Sequence, residues 1–138
     1  MKIDRFEDLN IWQDARFLCQ VVYKVASTNE FRRDFSLKRQ ITSSAGSIMD
    51  NIAEGFERGG NKEFIQFLYI AKGSCSETRS QSYRAYDCKY ITEKQLNGLL
   101  DLTEKLSRRI TAMIIYLSKS KIKGRKHHRS TSNSGEAA

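Results

Sequence analysis

The stretch S-I-M-D-N-I-A-E-G-F-E-R-G, Ser47 to Gly59, decides the fold. At helical spacing it sets Ser47, Asn51, Glu54 and Arg58 along one line, with Ile48, Ile52 and Phe56 along the line beside it. The apolar line needs another helix to bury against. A stripe of small and polar groups flush with that line needs hydrogen-bond partners wherever it is covered. The pattern points to closely packed helices, and it identifies an architecture more sharply than an activity.

Followed outward, the apolar line becomes Leu37, Ile41, Ala45, Ile48, Ile52 and Phe56, a helix starting near Asp34 or Ser36 and running to Arg58. Gly59-Gly60-Asn61 ends it: the glycine pair suits a left-handed cap, and Asn61 suits the first amides of the next helix. That third pattern carries Phe64, Leu68, Ala71, Cys75, Thr78, Ser82 and Ala85, with Ile65, Phe67 and Ile70 beside them, and grows more polar in its second half. Before the decisive stretch, Leu9, Trp12, Ala15, Cys19, Val22 and Ala26 form a first helix, and S-T-N-E-F-R-R-D links it to the second. Thr92 with Gln95 forms a capping box before the line Leu99, Thr103, Leu106, Ile110, Met113 and Leu117. Its alternating steps are those of a supercoiled seam.

Helices are therefore predicted over about 8–27, 36–58, 62–89 and 93–119. Short connections make sequential neighbours antiparallel, so the fold class is all-α, an antiparallel up-down-up-down four-helix bundle over residues 1–119. Residues 120–138, basic and then Ser-rich, read as a disordered tail.

Composition agrees. A chain of 138 residues without proline and with 8 glycines suits long uninterrupted helices in one domain. Cys19, Cys75 and Cys88 are odd in number and widely spaced, so they read as reduced thiols, not a disulfide framework or a zinc site. No apolar run reaches membrane-spanning length and the start lacks a signal-peptide pattern, so a cytoplasmic protein away from membranes is expected. The net charge is +8, and Lys121, Lys123, Arg125, Lys126 and Arg129 against Glu136 concentrate half of it in the tail.

Four segments carry a family resemblance: F-E-D-L-N-I-W-Q-D-A (Phe6 to Ala15), Q-I-T-S-S-A-G-S-I-M-D-N-I-A-E-G-F-E-R (Gln40 to Arg58), K-E-F-I-Q-F-L-Y-I-A-K-G-S-C-S-E (Lys62 to Glu77) and the leucine-rich last helix. Over about residues 3–119 the chain resembles the bacterial four-helix-bundle proteins encoded in intervening sequences of large-subunit ribosomal RNA genes, distant relatives of diversity-generating retroelement accessory proteins. Members often carry proline where this chain has Met49, and arginines where it has Thr42 and Ser43. The resemblance implies a homo-oligomer, a pentamer, with no enzymatic activity and no cofactor. It transfers no functional residue.

Two candidate groups remain. Ser47, Asn51, Glu54 and Arg58, with Ser74 and Glu77 on the third helix, are read as a structural polar network that fixes helix register. Ser44 and Gly73 lie on the same stripes, with Ser and Gly permitting close approach. The alternative, Glu54 and Glu77 as a metal or acid–base pair, lacks support. A carboxylate di-iron bundle also needs histidines, and His127 and His128 both lie in the tail. No catalytic, metal or cofactor residue is assigned. Lys119, Lys121, Lys123, Arg125, Lys126 and Arg129 form the candidate nucleic-acid surface, with Arg32-Arg33 expected at the opposite end of the bundle. Tyr83, Tyr86 and Tyr90 recur at helical spacing and are read as packing residues in preference to base-stacking ones. The function expected is a non-enzymatic, oligomeric protein that associates with nucleic acid, RNA ahead of DNA. The alternative is a protein-interaction module.

Overall fold

The computed structural model describes residues 2–120. Four helices carry the chain: α1 (Asn10–Ala26), α2 (Phe35–Glu57), α3 (Asn61–Asp87) and α4 (Glu93–Lys119), and no strand occurs among the described residues. Short 3-10 turns at Phe6–Asp8 and Asn29–Arg33 precede α1 and α2. The first turn explains why α1 starts later than position 8: Leu9 donates to Phe6 O at 3.0 Å and takes an extended conformation.

The helix ends follow local chemistry. Asp34 caps α2 by accepting from Leu37 N at 3.0 Å. Gly59, at φ 91°, takes the left-handed turn after α2. Asn61 is the first residue of α3, not its cap; that position belongs to Gly60, which has no side chain to offer. Thr92 and Gln95 form the full capping box of α4. The end of α3 departs from rule. Lys89 N donates to Tyr86 O at 2.8 Å and Tyr90 N to Ala85 O at 2.9 Å, a Schellman closure whose left-handed residue is Lys89, at φ 65°, where glycine is usual.

Phe31, Phe56, Phe64, Leu9, Leu18, Ile41, Ile48, Ile52, Leu68, Leu99, Leu106 and Ile110 are fully buried and form one core shared by all four helices. Contacts between α2 and α3 run in opposite numerical directions. Gln40 meets Arg84, Ser44 meets Gln81, and Ser47 meets Ser74, so these helices are antiparallel. Cys75 with Thr103 and Arg79 with Leu100 set α3 against α4 in the same sense. The α2 and α3 backbones come close at Gly55, where an added Cβ would stand 2.5 Å from Phe67 Cβ. Gly73 is different: a Cβ there would meet nothing within 4 Å, so it does not mediate helix approach within the chain.

Candidate nucleic-acid interface

Polar residues concentrate in two places, and they behave differently. One is the α2–α3 seam. There Ser74 Oγ donates to Ser47 Oγ at 2.9 Å, while Asn51 Nδ2 donates to Ser47 O at 2.8 Å and Ser47 Oγ at 2.9 Å. Deeper in, buried Ser44 Oγ lies 2.7 Å from Gln81 Oε1 and 2.8 Å from Thr78 Oγ1, and Thr78 donates on to Ser74 O. Ser82 and Thr103 hydroxyls donate to carbonyls one turn back, and Cys75 Sγ donates to Thr103 O at 3.0 Å. The more polar second half of α3 thus bonds inward.

Of the six residues assigned to a network from sequence, Ser47, Asn51 and Ser74 are brought together. Glu54 and Arg58 pair with each other on the surface at 2.9 Å, with the Arg58 guanidinium 5.0 Å over the Phe67 ring. Glu77 is exposed and joins neither group. Ser44 was legible in the stripe, whereas Gln81 was missed. Its signal was the step pattern 74, 78, 81 on α3, which matches the spacing on α2.

The other polar region is the end of the bundle where the α1–α2 and α3–α4 links meet. Phe31 and Tyr90 stack at 5.2 Å between centroids, Tyr90 O–H donates to Asp34 at 2.9 Å, and Arg84 donates to Gln40 Oε1 at 3.1 Å. These contacts gather residues 24–39 and 84–94 at one end. Lys24, Arg32, Arg33, Lys38 and Arg39 come from the first segment and Arg84, Lys89 and Lys94 from the second, against Glu30, Asp34, Asp87 and Glu93. The excess of four cations equals the whole net charge of residues 1–120, so the rest of that body is neutral.

The ion pairs sharpen this. Arg5 with Glu7 and Asp8, Arg58 with Glu54, Arg108 with Glu104 and Arg109 with Asp14 all lie away from the linker end. No ion pair within 4 Å joins any of the eight linker-end cations to a carboxylate among the described residues, although Arg84 lies near enough to Asp34 to help hold its carboxyl down. Arg32, Arg33, Arg39, Arg84, Lys89 and Lys94 are exposed. Asp34 is engaged by its own neighbours: the Leu37 N–H first, then the Tyr90 hydroxyl, holds its carboxyl below the usual range, and the same bond pushes the Tyr90 hydroxyl up. Phe35, Tyr83 and Tyr86, in or next to these segments, are exposed rings, whereas Tyr90 packs on Phe31.

Of the sequence-assigned nucleic-acid residues, Lys119 ends α4, at the pole away from the linkers, and is exposed. Lys121, Lys123, Arg125, Lys126 and Arg129 lie outside the described residues. A third surface follows the α1–α4 seam. A groove of about 410 Å³ lies between Leu9, Ile11, Met113 and Tyr116, and a smaller one beside Phe17 and Leu102.

Burial pushes the Cys19 thiol up to about 11, with the Asp50 carboxylate adding to the effect, and pushes Cys75 up to about 11 as well. Both are inert protonated thiols at neutral pH. Cys88 is exposed at the linker end. Among the described residues no group of three or more His, Cys, Asp or Glu side chains could hold a metal ion, and no helix is long and apolar enough to cross a membrane.

Comparison with known proteins finds a family and a solved structure of similar fold. The 23S rRNA-intervening sequence protein family matches residues 7–112. A solved structure, a protein of unknown function from the S23 ribosomal protein family of Bacteroides thetaiotaomicron VPI-5482, is 21% identical, covers 75% of this chain and 97% of that one, and superposes with a TM-score of 0.69. At that identity the likeness is one of fold. No curated protein matches the chain.

Proposed function

This chain belongs to the 23S rRNA-intervening sequence protein family, and we propose that it is a non-enzymatic, homo-oligomeric bundle that associates with nucleic acid, RNA in preference to DNA. The observation that carries this is the linker end, where exposed cations gather without carboxylate partners. A cation paired inside the chain gains nothing new from a phosphate until its own partner is displaced. An unpaired one releases condensed counterions from the nucleic acid at no such cost. The family's name refers to the intervening sequence of 23S rRNA, and that link supports RNA over DNA. The tail residues Lys121, Lys123, Arg125, Lys126 and Arg129, which follow Lys119 in the sequence, add a second basic segment.

The experiment is RNA binding measured across salt concentrations for the full chain, for Arg32→Gln with Arg33→Gln, and for a chain lacking residues 121–138. Each lost phosphate contact lowers the slope of log affinity against log salt by about 0.7 on a single strand. A slope near zero in the full chain would refute the reading. A slope lost wholly with residues 121–138 would move the interface to that segment.

The α1–α4 seam favours a second reading. Phe17 and Tyr116 are 52% and 43% exposed beside its grooves, which suits a protein partner or another copy of the chain. Light scattering on a size-exclusion column, with the 260 to 280 nm absorbance ratio of the purified protein, separates the two. A defined oligomer free of nucleic acid that binds none when RNA is supplied supports the interaction module.

A further inference from the structure

Phe35, Tyr83 and Tyr86 are left unused by both the fold and the charge. Phe35 is 72% exposed, and Tyr83 and Tyr86 are 47% and 37% exposed. None stacks on another ring among the described residues, and none belongs to the core. The local structure does not need them either. Asp34 supplies the cap of α2, and Tyr90, stacked on Phe31, closes α3. Aromatic faces left in water give up the stabilisation that burial would bring.

Cations lie close to them in the sequence. Phe35 follows Arg32 and Arg33 by three and two residues, and Tyr86 precedes Lys89 by three. The two sides are tied together by the Arg84–Gln40 and Tyr90–Asp34 bonds.

We propose that the linker end is a stacking platform for the unpaired bases of single-stranded nucleic acid, with bases on Phe35, Tyr83 and Tyr86 and phosphates on Arg32, Arg33 and Lys89. This rests on the reading that the linker end takes phosphates, and it adds which form of nucleic acid supplies them. A duplex hides its base faces inside its own stack and offers the protein only phosphates and groove edges. A single strand offers phosphates and open π-faces together, which is what an end carrying both free cations and wet rings can use. RNA and DNA strands share that chemistry.

The test is fluorescence anisotropy with an unstructured labelled RNA of about 20 nucleotides, enough to span a single-strand site. The same sequence as DNA and the RNA annealed to its complement are the other two arms. The proteins are the wild type, the combined Phe35→Ser, Tyr83→Ser, Tyr86→Ser variant, and Arg32→Gln with Arg33→Gln, each checked by circular dichroism and size-exclusion chromatography. The wild type should bind the single strand about tenfold or more tightly than the duplex. The ring variant should lose about ten- to a hundredfold on single strands, with its duplex affinity and salt slope unchanged. The arginine variant should weaken both ligands, and the RNA and DNA arms show which strand is preferred. If the ring variant binds single strands like the wild type, or the duplex binds as well as the single strand, the platform is refuted and the charge reading stands. If no ligand binds with salt dependence, both fall. If the ring variant changes oligomer size while keeping its RNA affinity, the rings are subunit contacts and the platform is refuted.

Discussion

The α2–α3 seam and the linker end are both polar, yet they end in opposite states. In the seam, Ser44, Ser47, Asn51, Ser74, Thr78 and Gln81 find partners in one another or in nearby carbonyls. At the linker end, Arg32, Arg33, Lys89 and Lys94 are exposed and form no ion pair with a carboxylate among the described residues. A polar group satisfied within its own chain contributes to register and specificity. A charged group kept exposed and unpaired is available to a ligand. Polarity alone does not separate architecture from function, but the presence or absence of an internal partner does.

The largest test of this contrast is Gly55→Ala. The new Cβ would stand 2.5 Å from Phe67 Cβ, which sits on backbone and cannot swing away, so the seam must open. We expect a loss of about 2 kcal/mol in urea unfolding, even after the gain in helix propensity, with RNA affinity unchanged. A variant as stable as the wild type would show that the seam is not close-packed.

Arg32→Gln with Arg33→Gln should do the reverse. Affinity for single-stranded RNA should fall about tenfold, or 1.4 kcal/mol, and the salt slope by about 1.4. Stability should stay within about 0.5 kcal/mol. Unchanged binding with lowered stability would invert the comparison.

Lys89→Gly should raise stability by about 1 kcal/mol, because Lys89 holds a left-handed conformation at φ 65° that glycine adopts freely. RNA binding should weaken slightly at the same time. A stability trade of that kind, seen in one residue by melting and anisotropy, would tie the strained cap to the basic end.

Gly73→Ala is the counterpart of Gly55→Ala. Its Cβ would meet open space, so helix propensity should prevail and stability rise by about 0.5–1 kcal/mol. A loss instead would mean that another subunit lies against that face of α3.

The smallest effect is acid titration of the linker end. The Asp34 carboxyl is held below its ordinary value by the Leu37 N–H and then the Tyr90 hydroxyl. Its contribution is complete above the unfolded value of about 3.9 and disappears as pH falls through the lower folded value. The stability difference between wild type and Tyr90→Phe should therefore be constant from about pH 6 down to 4 and shrink below that. A difference that shrinks already near neutrality would assign the bond to another pair.

Much of the fold was legible because helix signals are local. The apolar lines of all four helices, the Thr92–Gln95 box and the left-handed Gly59 follow from spacing and residue type. Asn61 as a cap did not follow, because Gly60 takes the extended turn and leaves Asn61 inside the helix. Ile70 lay beside the apolar line of α3 yet is 52% exposed, since the edge of a helical face cannot be placed without its neighbour. The polar stripe was half legible. Ser47, Asn51 and Ser74 meet, but the long side chains of Glu54 and Arg58 reach each other on the surface. The linker end was least legible. Each of its cations is visible in the sequence, but their lack of partners depends on where every carboxylate of the chain comes to rest.

The three thiols divide along the same boundary. Cys19 and Cys75 are enclosed and protonated, while Cys88 is exposed one residue before Lys89. A maleimide dye offered to the native protein should therefore attach at a single position, beside the proposed ligand site. The natural sequence thus carries its own attachment point for a reporter, and energy transfer from position 88 to an end-labelled oligonucleotide would measure the approach of a strand without any engineered cysteine.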